Sequence, residues 1–160
     1  MSAASLRLAA CLLLGLAATG CDSGTDAPQS CGDTAEVLRE DLTVGTSNET
    51  AGPNSVVTIT YVGSFPGGTV FDRGQSTTFS LGGTVLGFRT GVAGMRAGGR
   101  RRITVPPRLG YGAADLTDRN GDVVRNADGT PLIPGCSTLI FDVTLEGVRP
   151  GTAQAGPLGG

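Results

Sequence analysis

Residues 56 to 62, VVTITYV, put Val57, Ile59 and Tyr61 on one side of an extended chain and Thr58 and Thr60 on the other, the period-two alternation of a half-buried strand. STLIFDVTLEGV, residues 137 to 148, repeats it more cleanly: Leu139, Phe141, Val143 and Leu145 share one face, while Asp142, Thr144 and Glu146 share the other. RRRITV at 100 to 105 adds Ile103 and Val105, and shorter strand candidates lie around Val70 to Asp72 and Phe79 to Leu81, bounded by glycines. Strands that are apolar on one side only predict an antiparallel sheet with one solvated face.

Helical spacing shows itself at GFRTGVAGM, 87 to 95, where Phe88, Val92 and Met95 fall at i, i+4 and i+7 and Gly98-Gly99 supplies a stop. Its internal glycines disfavour an isolated helix, so packing must hold it. One helix laid on the apolar face of an antiparallel sheet is an α+β domain. A weaker helical signal at Thr34 to Glu40 is left unassigned.

The two ends differ from this middle. MSAASLRLAACLLLGLAATGC carries one Arg, an apolar run of about ten residues and then small residues before Cys21, the layout of a secretory signal and too short for the ~20 residues of a membrane span. AATGC resembles the bacterial lipoprotein signal, which makes Cys21 the lipidated residue of an exported, membrane-anchored chain facing the periplasm of a two-membrane cell. Ala18 stands where a larger aliphatic is commoner, and an ordinary cleaved signal is the alternative. Residues 1–20 are thus read as signal, 21–35 as a polar tether, 36–148 as the folded domain and 149–160, rich in Gly and Pro, as a tail. Export implies an oxidising compartment in which Cys31 and Cys136, the internal pair left, can form a disulfide; two unpaired thiols are the alternative.

Composition narrows the chemistry. The chain has no histidine, so Ser-His-Asp and Cys-His nucleophilic catalysis are excluded. A net charge of −2 gives no general attraction to nucleic acid, and the basic run Arg100 to Arg102 reads as a solvated strand edge. In DLTDRNGDVVRNADGT, 115 to 130, Asp118, Asn120 and Asp122 stand at alternate positions, but the glycine and the twelfth-position acid of an EF-hand loop are misplaced. An inserted hairpin with Asn-Gly and Asp-Gly turns, forming a flap above a pocket, is the reading preferred. No metal and no cofactor are assigned.

TYVG at 60 to 63, TVFDRG at 69 to 74, FSLGGTVLGFRTGVAGMRAGGRRRITVPPRLGYG at 79 to 112 and LIPGCSTLIFDVTL at 132 to 145 stand in one order and spacing. Together they resemble the FKBP-type peptidyl-prolyl cis-trans isomerases, the macrolide-binding immunophilins, over about Leu38 to Val148. The resemblance implies a twisted antiparallel sheet wrapped on one short helix and an apolar pocket. Tyr61, Phe71 and Phe141 would form its walls and Phe88 its floor. Tyr111 would donate to a ligand carbonyl, the Val85 N–H would hold a second carbonyl, and Ile133 would complete the lining. Asp72, the one carboxylate of the set, would orient Tyr61 or polarise the site. Asp72, Tyr111, Phe71 and Phe141 are therefore the expected catalytic group, and Tyr61, Val85, Phe88 and Ile133 the substrate-binding group.

The implied partners are proline-containing unfolded or exported polypeptides, macrolides such as rapamycin as inhibitors, and the membrane through the lipid. Three departures from the family pattern stand out: Thr77 in place of an aromatic, a short segment from Gly82 to Val85, and the long insertion between Tyr111 and Ile133. They keep open a proline-binding or chaperone module with little turnover.

Overall fold

The computed structural model describes residues 31–32 and 36–151. The signal segment, Cys21, and most of the tether and tail lie outside the described residues. Strands β1 (Leu38–Thr43), β2 (Val56–Ser64), β3 (Val70–Ser80), β4 (Arg100–Val105) and β5 (Leu139–Arg149) form one antiparallel sheet in the order β1-β4-β5-β2-β3. One helix, α1 (Leu86–Val92), follows β3 and packs on β4. Among the described residues the architecture is α+β, an antiparallel five-stranded sheet with one α-helix.

The alternating residues make the core. Val57 and Ile59 of β2, Ile103 and Val105 of β4, and Leu139, Val143 and Leu145 of β5 are wholly excluded from water and meet Phe88 and Val92 of α1. Each such side chain contributes on the order of 1.5–3 kcal/mol through burial. The helix glycines, poor for propensity, serve this packing. A Cβ on Gly87 would come within 2.3 Å of Val105 Cγ1, and one on Gly91 within 2.3 Å of Ile103 Cγ2. They stand four residues apart, one turn of helix, so α1 lies with its backbone against β4.

Several elements differ from the sequence reading, each for a tertiary reason. The weak helical signal at Thr34 to Glu40 gives no helix among its described residues; from Leu38 the chain is strand, because β4 offers it an antiparallel partner with Leu38 opposite Thr104 and Asp41 opposite Arg101. The two candidates near Val70 and Phe79 are one strand, β3, and Leu81 belongs to a 3-10 turn, Leu81–Gly83. The helix stops at Val92, before Met95, which is still buried. Arg100 to Arg102 are not at a sheet edge, since β4 lies between β1 and β5. Arg101 is 9 % exposed. Its Nε donates to Asp41 Oδ1 at 2.6 Å, and its Nη1 donates to the Gly91 and Ala93 carbonyls at 2.7 and 3.3 Å. A buried guanidinium thus closes the helix C-terminus, where carbonyls lack intrahelical donors.

The insertion is a compact meander. The Leu116 N–H donates to Ile133 O, Val124 N–H to Leu116 O and Leu132 N–H to Val124 O, with bridges Thr117–Val123 and Arg125–Pro131. Asp118 Oδ1 accepts the N–H groups of Asn120 and Asp122, and Asp128 Oδ1 accepts that of Thr130, which makes these acids turn formers. Leu116 and Leu132 rest on the core.

Candidate active site

Five aromatic contacts join six rings in a chain. Phe65 meets Phe71 at 5.1 Å between centroids, Phe71 meets Phe141 at 5.7 Å, Phe141 meets Phe88 at 4.9 Å, Phe88 meets Phe79 at 6.1 Å, and Phe79 meets Tyr61 at 6.5 Å. Three of the five are edge-on, the geometry the ring quadrupole favours. β2, β3, α1 and β5 all contribute, so the cluster exists only once the sheet and helix have met.

A cavity of about 330 Å³ opens beside this chain, lined by Tyr61, Asp72, Phe79, Gly83, Thr84, Val85, Phe88, Tyr111 and Phe141. That lies at the small end of the roughly 300–1,000 Å³ common for ligand clefts. Six of the eight expected site residues line it. Phe71 and Ile133 do not: Phe71 stands behind the wall, between Phe65 and Phe141, and Ile133 is 3 % exposed within the core. The β2 backbone leaves room for Phe71 because residue 63 is glycine; a Cβ there would sit 2.7 Å from the ring. No residue of 115–130 lines the cavity.

Phe79, Gly83 and Thr84 are lining residues that the sequence reading missed. Phe79 lies two residues beyond Thr77 on the same face of β3, opposite Val57. It supplies a ring to a pocket whose expected aromatic at 77 is absent.

The polar groups are few. Asp72 Oδ2 accepts the Tyr61 phenol at 2.7 Å, and its Oδ1 accepts the Arg73 N–H at 2.8 Å. Burial, then the hydrogen bond to Asp72 and the carboxylate charge, push the Tyr61 phenol up to about 12. Burial and, secondarily, Asp72 also raise Tyr111 above the ordinary tyrosine value. Both phenols therefore keep their protons at neutral pH and remain hydrogen-bond donors.

Tyr111 follows a 3-10 turn, Pro107–Leu109, tightened by Gly110 and Gly112 N–H bonds to the Pro107 carbonyl at 3.0 and 2.8 Å. The Cys136 N–H donates to Gly112 O at 2.9 Å, and Cys136 is disulfide-bonded to Cys31 with Cα atoms 5.3 Å apart. The loop that carries the exposed phenol is thus tied to the chain ahead of β1. Val85 is the N-cap of α1, where the first N–H groups lack intrahelical acceptors.

A histidine-free aromatic cavity with neutral phenols and backbone donors can hold an amide without attacking it. That is the chemistry of a binding pocket that acts on conformation. The family model described as FKBP-type peptidyl-prolyl cis-trans isomerase matches residues 47–146, and the chain belongs to this family. It is 41 % identical to FK506-binding protein 4 of Emericella nidulans over 118 residues, 71 % of this chain and 22 % of that protein. It is 34 % identical to FkpA, the FKBP-type isomerase of Escherichia coli K12, over 61 % of this chain and 32 % of that one. A crystal structure of a peptidyl-prolyl cis-trans isomerase from Pseudomonas syringae superposes with a TM-score of 0.60 at 28 % identity, covering 71 % of this chain and 76 % of its own. The chain spans about a quarter of the length of the first curated relatives it matches, 24 % for FK506-binding protein 3 of Candida albicans.

Proposed function

We propose that the protein is a peptidyl-prolyl cis-trans isomerase that accelerates slow folding steps of exported polypeptides. The observation that carries the reading is the cavity of about 330 Å³, walled by aromatic rings, with Tyr111 exposed at its edge and Asp72 bound to Tyr61. Rotation about a peptide bond costs ~18–20 kcal/mol because resonance must be lost, and before proline the exchange takes tens to hundreds of seconds. The planar amide is charge-separated and the twisted one less so. Transfer from water to an apolar cavity therefore favours the twisted state, and differential binding of that kind is catalysis.

In this reading the proline ring sits among Tyr61, Phe79, Phe88 and Phe141. The Tyr111 phenol and the backbone N–H at Val85 hold substrate carbonyls. Asp72 fixes the Tyr61 ring and adds a negative charge at the wall. No proton leaves any residue, which is why raised phenol pKa values suit the task. Rapamycin-type macrolides would compete for the same cavity. The Cys31–Cys136 disulfide is compatible with an oxidising compartment and, with the signal-like N-terminus, supports export and anchoring through lipid on Cys21, facing the periplasm.

The test is cis-to-trans relaxation of an Xaa-Pro peptide, with and without rapamycin. Acceleration abolished by the macrolide is expected. Relaxation at the uncatalysed rate would leave a proline-binding module instead.

A further inference from the structure

Asp72 and Phe79 both line the cavity, yet they lie seven residues apart on one strand. A regular strand alternates faces with a period of two, so an odd separation should put one of them on the far side. The register shows how this is avoided. Val57 faces Phe79 and Ile59 faces Thr77, but Tyr61 faces Gly74 and Gly63 faces Asp72, so Thr60 alone stands against both Gln75 and Ser76. β3 carries one extra residue there, a bulge, and its facing parity flips.

The bulge is held from the other side of the sheet. Ser76 is a non-glycine residue at φ +46°, in the left-handed region that side chains seldom adopt. Its N–H donates to Thr60 Oγ1 at 3.0 Å, and its Oγ donates to Glu146 Oε2 at 2.8 Å. Thr60 Oγ1 in turn donates to Glu146 Oε1 at 2.5 Å. Glu146 is itself the extra residue of a second bulge, since Thr58 pairs with Gly147 but Ile59 with Leu145. Two irregularities on the neighbours of β2 therefore meet over one threonine hydroxyl.

We propose that Thr60, Ser76 and Glu146 are positioning residues for the isomerase site: from the solvated face they fix the β3 bulge that turns Asp72 and Phe79 into the same cavity. This rests on the isomerase reading of that cavity. None of the three lines the cavity, and Ser76 and Glu146 lie outside the motifs that identify the family, while Thr60 opens one of them. The two hydroxyl bonds also hold the Glu146 carboxyl below its usual range, Thr60 having the larger effect, so the carboxylate acceptor persists at neutral pH.

The test compares Thr60→Val, which keeps the shape and removes the shared hydroxyl, with Thr60→Ser, which restores it. Thr58→Val is the control, because Thr58 Oγ1 bonds Thr78 Oγ1 at 2.8 Å on the same outer face and takes no part in the bonds among Thr60, Ser76 and Glu146. kcat and KM on an Xaa-Pro peptide, melting temperature, and the Tyr61 phenolate titration followed by absorbance would be read for each. For Thr60→Val we expect kcat/KM to fall roughly ten- to a hundredfold, the scale on which small misplacements act, and the Tyr61 titration to move down from about 12. Thr60→Ser and Thr58→Val should keep both near wild type.

If Thr60→Val and Thr58→Val behave alike in turnover and titration, the clasp is merely structural and the proposal is overturned. Should Thr60→Val not fold, Ser76→Gly, which eases the left-handed backbone while deleting the contact to Glu146, must show the same paired loss or the proposal fails. An unaccelerated wild type would defeat the isomerase reading alone, and the Tyr61 titration would still decide whether the clasp positions Asp72.

Discussion

Tyr61 and Asp72 are the pair on which the polar side of the cavity turns. With only two tyrosines in the chain, phenolate absorbance in a Tyr111→Phe background reports Tyr61 directly, and the midpoint should lie above the ordinary tyrosine value, since burial and Asp72, the larger causes, remain. Asp72→Ala should lower it part of the way, because burial, the larger cause, remains. The same variant should reduce isomerase turnover while leaving the melting temperature little changed, since Asp72 is exposed. A midpoint unchanged by Asp72→Ala would show that the carboxylate does not reach the phenol. Phe141 is different in kind. It is 7 % exposed and touches both Phe71 and Phe88, so Phe141→Ala should cost about 3–5 kcal/mol of stability as well as activity. Denaturant unfolding measures the first, and full stability would contradict the ring chain. Asp72, Phe88, Tyr111 and Phe141 could be named from the sequence because each sits in a quoted motif. Phe79 opens a quoted motif as well, but counting by twos from Asp72 places it on the wrong face.

Elements in this fold are made by their partners. Helix α1 carries glycine at two of seven positions, and replacing glycine by alanine in an exposed helix would stabilise by about 1 kcal/mol. Here Gly91→Ala should do the opposite, because the new Cβ would meet Ile103 at 2.3 Å and push α1, with Phe88, away from β4. Thermal melting with the peptide assay checks this; a stabilised, active Gly91→Ala would mean that α1 does not lie as close as described. β1 depends on the Arg101–Asp41 pair in a similar way. The Arg101 hydrogen bond is the main cause holding the Asp41 carboxyl below the ordinary range of ~4. Its folded pKa is depressed, so the stabilisation is fully present above the unfolded value and is lost as pH falls through the folded one. Asp41→Asn should therefore flatten part of the acid limb below about pH 4 in a stability-against-pH series. A limb identical to wild type would show the pair to be idle. The strand alternation of β2 and β5 was readable from sequence, whereas β1 was not: its residues are all exposed, and what makes them a strand is the edge of β4.

For the whole molecule, the long link between Cys31 and Cys136 closes a loop of 105 residues in sequence, worth about 4–5 kcal/mol in the chain-entropy model. The Cys31→Ala/Cys136→Ala variant should melt well below wild type, and a dithiol reductant should lower the wild type to the same point; equal melting with and without reductant would mean that the bond adds nothing. The sequence by itself determined the class of fold, the family, four of the six rings and the tyrosine-aspartate pair, because these are written in local alternation and in motif order. Tertiary structure alone decided which of those residues face the cavity, since facing depends on register. The register shifts by one residue at two places between β2 and β3 and at one between β2 and β5, and a shift of one turns a side chain to the other face of the sheet. The insertion followed the same logic: its Asn-Gly and Asp-Gly turns read as a hairpin, and only the packed molecule shows that Leu116 rests on the core.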